Sequence, residues 1–384
     1  MRIDDAEMLF LEIPFRLALS HGARSDRRSS DSVILRLRSR DHEGFGEAVV
    51  RDYVSGSLGT GEAFQRETGR IVGDLLRPLA GRDFTWREAE SCLAALPCSA
   101  PALPLMCAVE TALLACAVAE RGAAGSPADP WSVLEREPLR QVVVYGGVLP
   151  FVSPEAARTY LPLCARLKLS NLKVKVGRDP AYNRGILALC REILGTEFDL
   201  RVDANAAWSL SSCAEHLDVC REHGVRLIEQ PFPVSEGPAA GAALAAQGFS
   251  VMADEGVLTG SDVRSLAATG AAQALNLRLS KNGGLARVLA LAAEAESNGL
   301  SYQMGCMVGE TGVLSAMGRV AASLLPAPRY VEGSYDEMLL EENIVTPSFG
   351  FGPGGRAPID RGNGMGYRVD AERLARFTRA RIRP

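Results

Sequence analysis

The stretch LKVKV at 172–176 carries two lysines in an otherwise apolar run. Side chains alternate along a strand, so Lys173 and Lys175 share one face, while Leu172, Val174 and Val176 share the other. A desolvated ammonium is costly unless an anion faces it. Acids follow at regular intervals. Lys175 to Asp203 is 28 residues, Asp203 to Glu229 is 26, Glu229 to Asp254 is 25, and Asp254 to Arg278 is 24. Two chemistries fit such a set. One is a salt-bridge network that fills the polar end of a group of strands. The other is a hard-cation site. Three carboxylates from neighbouring strands suit Mg²⁺, which takes a few carboxylates and leaves positions for water or substrate. Lysines beside the ion could bind an anionic substrate and serve as a base, because burial and a nearby cation lower an amine's pKa.

The elements that must position these residues begin at 141, where short apolar runs alternate with helical patterns. The predicted strands are 141–147, 172–176, 199–205, 227–231, 250–255, 274–280, 300–306 and 329–334. Ser153-Pro154 and Asp179-Pro180 are helix starts, and Gly195, Gly224, Gly248 and Gly299 fall at helix ends. Eight strands alternating with helices predict a parallel barrel rather than an open sheet. No GxGxxG follows a strand, which argues against dinucleotide binding. In such a barrel the carboxyl ends of the strands share one face, and Lys175, Asp203, Glu229, Asp254 and Arg278 all fall there. Residues 1–60 read as strands (MLFLEIPF, SVILRLRS, EGFGEAVV), with Gly44 and Gly46 at turn and bulge positions. Helices follow to about 122, and GAAGSPADP at 122–130 is the natural boundary. The expected domains are an α+β cap over 1–125, to which 350–384 returns, and a barrel over 126–349.

Composition bounds the rest. The 384 residues are 47% hydrophobic with a formal net charge of −4, enough for a large core and without the basic footprint of nucleic-acid binding. The apolar runs read as too short or too broken by charge to cross a membrane. The acidic N-terminus lacks the apolar core of a secretory signal. Nine cysteines without a CxxC pair read as reduced and buried, which fits a cytoplasm. The four histidines form no metal pattern; His216 and His223 are expected on a barrel helix exterior and His42 in a turn.

KVK, VDAN, IEQP, ADE and NLRLSKNGG, in this order and spacing, resemble the enolase superfamily, closest to its muconate lactonizing enzyme subgroup (mandelate racemase/muconate lactonizing enzyme-like). The resemblance covers nearly the whole chain. It implies a (β/α)7β TIM-like barrel with an N-terminal α+β capping domain, and homo-oligomeric assembly. It implies that Asp203, Glu229 and Asp254 hold Mg²⁺, with Mn²⁺ as a substitute. The substrate would be a small carboxylate that loses its α-proton to Lys175 and passes through an enediolate. Lys173 would neutralise the substrate carboxylate, Asn205 would donate from behind, and Glu255 would either orient the far side or be a solvated surface acid.

Two departures from the family pattern matter. The family's second base is a lysine on the sixth strand, where Arg278 stands here. Lys281 lies three residues further, and three steps along a strand reverse its side, so it is expected to face away. Arginine stays protonated and is a poor base, yet it can hold an anion. One-base chemistry therefore leads: syn β-elimination, dehydration or cycloisomerisation by a Mg²⁺-dependent lyase or isomerase. Racemisation or epimerisation of an amino acid derivative or dipeptide is the alternative, and a non-catalytic carboxylate binder the third reading. Second, the Asp-x-Asp of dipeptide epimerases meets EGSYDEML here, with Ser334 at the first acid and Asp336 at the second. Glu332 could bind an amine or simply finish the barrel rim. Glu310 either contacts substrate or serves a helix N-terminus. In the cap, Arg24, His21, Arg51 and Tyr53 are candidates for the substrate's distal end.

Overall fold

The computed structural model describes residues 1–21 and 24–384, and the side chains of all but 17–26. The cap begins with five antiparallel strands: β1 (Asp5–Leu11), β2 (Ile13–His21), β3 (Arg24–Ser30), β4 (Val33–Ser39) and β5 (His42–Ala48). β1, β4 and β5 join the late strand Thr378–Ile382 in one four-stranded sheet, so the end of the chain pairs with its beginning. One face of that sheet packs on the helix Leu103–Ala123.

Two expectations change here. Gly44 and Gly46 are neither turn nor bulge; they pair in regular register with Leu37 and Leu35. A Cβ at 46 would sit 1.8 Å from the Ala108 carbonyl oxygen, and one at 44 would sit 2.1 Å from that of Ala112. Glycine is required because the helix backbone lies directly on the strand. The helix itself is apolar all round, and the stretch Ala100–Ala123 is long and apolar enough to cross a membrane, contrary to the sequence reading. Almost all of it is buried inside the fold, as expected of a helix with no polar face.

The barrel also departs from expectation at its start. β6 (Val142–Val144) pairs antiparallel with Arg356–Pro358 rather than joining the barrel. The chain changes partner at Gly146: Tyr145 N–H donates to Gly355, whereas Gly146 N–H donates to Val331. From there β7 (Gly147–Leu149), β8 (Asn171–Lys175), β9 (Asp199–Asp203), β10 (Leu227–Glu229), β11 (Ser250–Ala253), β12 (Ala274–Arg278) and β13 (Ser301–Gly305) form a parallel sheet in sequence order. The eighth position is a short stretch around Val331, which bridges in parallel to Met304 of β13 and accepts from Gly146 beside β7. That closes the ring into a (β/α)7β barrel. Ser153 and Asp179 cap their helices as read, and Gly195, Gly224, Gly248 and Gly299 all take positive φ. His216, expected on the exterior, is instead buried, stacked on Trp208 and hydrogen-bonded to Asn183, because its helix face turns onto the loop after β9.

Two acids tie cap to barrel. Glu47 of β5 accepts from Thr311 N–H (2.8 Å), Thr311 Oγ1 (2.7 Å) and Leu314 N–H (3.1 Å) at the start of the helix Gly312–Leu324. Glu110 of the cap helix accepts from Leu285 N–H and Ala286 N–H at the start of the helix Leu285–Ser297. Both satisfy first-turn donors that the helix cannot satisfy itself. Gly284 must be glycine, since its φ is +107° and a Cβ would meet Glu110 Oε2 at 2.1 Å.

Burial pushes the Glu110 carboxyl from about 4.5 up to about 7, against the pull of its two amide donors. Between those values the folded chain holds a proton that the unfolded chain has lost. Stability should therefore fall as pH rises from about 4.5 to about 7. Urea midpoints taken across that window should flatten in Glu110→Gln; an unchanged slope would contradict the assignment.

Candidate active site

The carboxyl ends of β8, β9 and β10 lie in one register: Lys175 is level with Asp203, and Asp203 with Glu229. Asp254 follows directly after β11. All three acids have no exposed surface. Lys173 Nζ lies 3.2 Å from both Glu229 oxygens, 2.7 Å from Glu332 Oε2 and 3.7 Å from Asp203 Oδ2. Lys175 Nζ lies 3.1 Å from Asp203 Oδ2 and 2.5 Å from Asn205 Oδ1. Asn205 holds a positive φ, and its N–H donates to Asp203 Oδ1, so the same residue grips acid and lysine together. Arg278 pairs with Asp254 Oδ2 and lies 3.8 Å from Glu229 Oε1.

Lys281 corrects the sequence reading. The strand ends at Arg278, and Leu279–Asn282 turns helical, so strand alternation no longer applies. Lys281 swings beneath the site, where its Nζ reaches Asp254 Oδ1 (3.0 Å), the Asp254 carbonyl (2.7 Å) and the Asn276 carbonyl (2.5 Å). It shares Asp254 with Arg278, but only Arg278 lines the cavity above.

At Lys173, Asp203 and Glu229 burial and charge compete. Burial lowers the Lys173 ammonium's pKa, but Glu229, Glu332 and Asp203 outweigh it and hold the group charged. Burial raises Asp203, but Lys175 and Lys173 pull it below the usual carboxylate range. Burial wins at Glu229, which is raised despite Lys173. Burial also lowers Lys281, helped by the charge of Arg278. Glu255 is no surface acid. Its Oε2 is buried without a hydrogen-bond partner, and burial followed by the charge of Asp203 pushes its carboxyl up to about 7.

The three carboxylates suit a hard cation by donor type. Asp254 Oδ2 is buried against the Arg278 guanidinium, a contact that a bound ion would have to replace. Among the described residues no three Asp, Glu, His or Cys side chains are drawn together tightly enough to clasp an ion, because ammonium and guanidinium groups stand between the acids.

Other candidates divide. Glu332 is pinned between Lys173 and Arg201, whose guanidinium donates to Glu332 Oε1 at 2.5 Å. It is therefore not a free acid at the rim. Asp336 is buried and accepts from Ser315 Oγ (2.8 Å) and Asn343. Ser334 accepts from Arg319. Glu310 precedes the helix capped by Thr311, lines the cavity, accepts from Met307 N–H, and has its carboxyl pushed well above the usual range chiefly by burial. Tyr53 lines the cavity. Arg51 is buried and binds Asp31 (2.8 Å) and the Val308 carbonyl (2.8 Å), a clamp rather than a free cation. The side chains of His21 and Arg24 lie outside the described residues.

Sequence reasoning missed Arg201, Asn276 and Gln303. Asn276 Nδ2 donates to Glu229 Oε1 at 2.7 Å and Gln303 Nε2 to Glu229 Oε2 at 3.2 Å. Their signal was present: each is a polar residue inside an apolar strand, and Arg201 and Asn276 stand two positions before Asp203 and Arg278.

A capped parallel barrel with charged groups gathered at the carboxyl ends of its strands belongs to the proteins that work at that face. The comparisons narrow the class. A family model described as enolase C-terminal domain-like matches residues 159–373, and the chain belongs to the enolase superfamily, in its mandelate racemase/muconate lactonizing enzyme-like subgroup. It is 30% identical over 316 residues to the L-Lys-D/L-Arg epimerase of Methylococcus capsulatus, covering 80% of this chain and 83% of that one. It is 34% identical over 216 residues to muconate cycloisomerase 1 of Pseudomonas putida, covering 54% and 55%, so this match spans only about half of either protein. In fold it is similar to the N-succinyl Arg/Lys racemase of Bacillus cereus, with a TM-score of 0.86, 20% identity and full coverage of both chains.

Proposed function

We propose that this chain is a Mg²⁺-dependent lyase or isomerase that removes the proton α to a substrate carboxylate, with Lys175 as its only base. Asp203, Glu229 and Asp254 would hold the ion, with Mn²⁺ as a substitute. Bound there, the ion would supply positive charge against the negative charge that builds on the substrate carboxylate. Lys173, kept charged by its carboxylate neighbours, neutralises the substrate carboxylate. Asn205 and Asp203 aim Lys175 Nζ. The Arg278 guanidinium steadies anionic charge at the mouth.

One observation carries the one-base reading. Lys175 and Arg278 both line the cavity, while Lys281 is committed to three oxygen acceptors beneath it. A lysine held in that way offers no second base to the opposite face of an α-carbon. Syn β-elimination and cycloisomerisation need only one. Nine cysteines without a disulfide fit a reducing cytoplasm.

Epimerisation is the second reading, favoured by a 30% identical epimerase that covers most of the chain. The two separate in D₂O with Mg²⁺ over a panel of dipeptides, N-acyl amino acids, hydroxy acids and cis,cis-muconate, read by mass spectrometry and chiral separation. The expected result is a product of different constitution. Deuterated starting material recovered as both stereoisomers would overturn the one-base reading. Binding without Mg²⁺-dependent change in any acid would mark a binder.

A further inference from the structure

We infer that the substrate is a monocarboxylate whose far end is a bulky apolar group, a conclusion that rests on the reading of the site above. The cavity over the acids is about 420 Å³, within the range that encloses a drug-sized molecule rather than a bare α-carboxylate. Its floor is charged: Lys173, Lys175 and Arg278. Its walls are different. Leu149, Leu163, Leu167, Leu169, Leu339 and Phe351 face it from β7, from the helix Pro154–Arg166 and the turn after it, and from the segment that follows Val331. Among the described residues, no arginine, lysine or histidine other than the three on the floor lines it. Among the described residues, a second carboxylate carried up among these walls would meet no cation.

An ammonium fares no better. Three further acids line the cavity, and each already has partners. Glu332 lies between Lys173 and Arg201, Asp336 accepts from Ser315 and Asn343, and Glu310 accepts from Met307 N–H. Capturing a cation would mean breaking the Glu332 ion pairs or drawing Asp336 and Glu310 away from the donors they already hold. Apolar surface gains from the same walls without any such loss. At the rim Met338 is partly exposed, a flexible side chain suited to close over groups of varied shape.

The test is calorimetric binding to the Mg²⁺-loaded full chain. Its ligands are straight-chain monocarboxylates from butanoate to decanoate, with the α,ω-dicarboxylates and ω-amino acids of equal length. Affinity should rise roughly three- to fourfold per methylene until the cavity is full. An ω-carboxylate or ω-ammonium should cost at least about tenfold. Leu163→Arg should turn the preference toward dicarboxylates; Leu163 is only half-buried, so a guanidinium there can still reach water. Equal or tighter binding of either doubly charged series, a flat dependence on length, or no binding at any length would overturn the inference. Should Leu163→Arg not fold, the wild-type slope decides. Lys175→Ala separates this inference from the catalytic reading. It should keep the length dependence while losing exchange, whereas a wild type that binds but never exchanges sinks the catalytic reading alone.

Discussion

Lys175→Ala is expected to lose Mg²⁺-dependent exchange of the α-hydrogen by about a thousandfold or more, the scale of a removed general base. Lys175 stands level with Asp203 and lines the cavity, and its amine is aimed by Asn205. Loss of rate could also come from loss of charge, so Lys175→Arg is the informative partner. It keeps the cation but cannot accept a proton at working pH. Both variants should be inactive while binding a straight-chain monocarboxylate with affinity within about tenfold of wild type. Activity in Lys175→Arg above about a tenth of wild type would make the lysine an electrostatic group and would remove the base from the mechanism. Folding is a separate readout, because Asp203 loses its nearest cation in the alanine variant and keeps only Lys173 at 3.7 Å.

The second large effect is on stability. Arg201→Met should cost about 3–5 kcal/mol, measured as a shift in urea midpoint at unchanged m. Arg201 has no exposed surface and sits inside the barrel below the site. Its guanidinium donates to Glu332 Oε1 and, at 2.8 Å, to Asn171 Oδ1, and lies 4.0 Å from the centre of the Tyr330 ring. Methionine fills much of the volume but leaves Glu332 with Lys173 alone. The double variant with Glu332→Gln should recover part of the loss, since it removes the stranded charge. A single-variant loss under about 1 kcal/mol would mean that the acid is resolvated, and would contradict the buried network.

The barrel was legible because its chemistry repeats. Each unit places one polar residue near the end of an apolar run: Lys175, Asp203 and Glu229 stand level at their strand ends, and Asp254 follows directly after β11. What escaped has particular causes. Lys281 was assigned a direction by extending strand alternation past Arg278, where the backbone had already turned helical. VVV at 142–144 is equally apolar whether it joins a barrel or a short antiparallel pair, and the choice is made by Gly146, Val331 and Gly355 far along the chain. Gly44 and Gly46 were read through local backbone preference, whereas the constraint is a helix some 60 residues away lying directly on them. Arg201, Asn276 and Gln303 went unread because each stands inside an apolar strand beside a more conspicuous residue.

Glu47 and Glu110 bear on how such molecules can be recombined. Each leaves the cap to complete the opening turn of a barrel helix, and Gly284 exists to let one of them through. A chimera that joins this barrel to the cap of a relative must import both acids, in place, or strand amide donors at two helix starts. Substrate range could thus be altered by exchanging loops far more readily than by exchanging whole caps, because the seam between the halves is keyed.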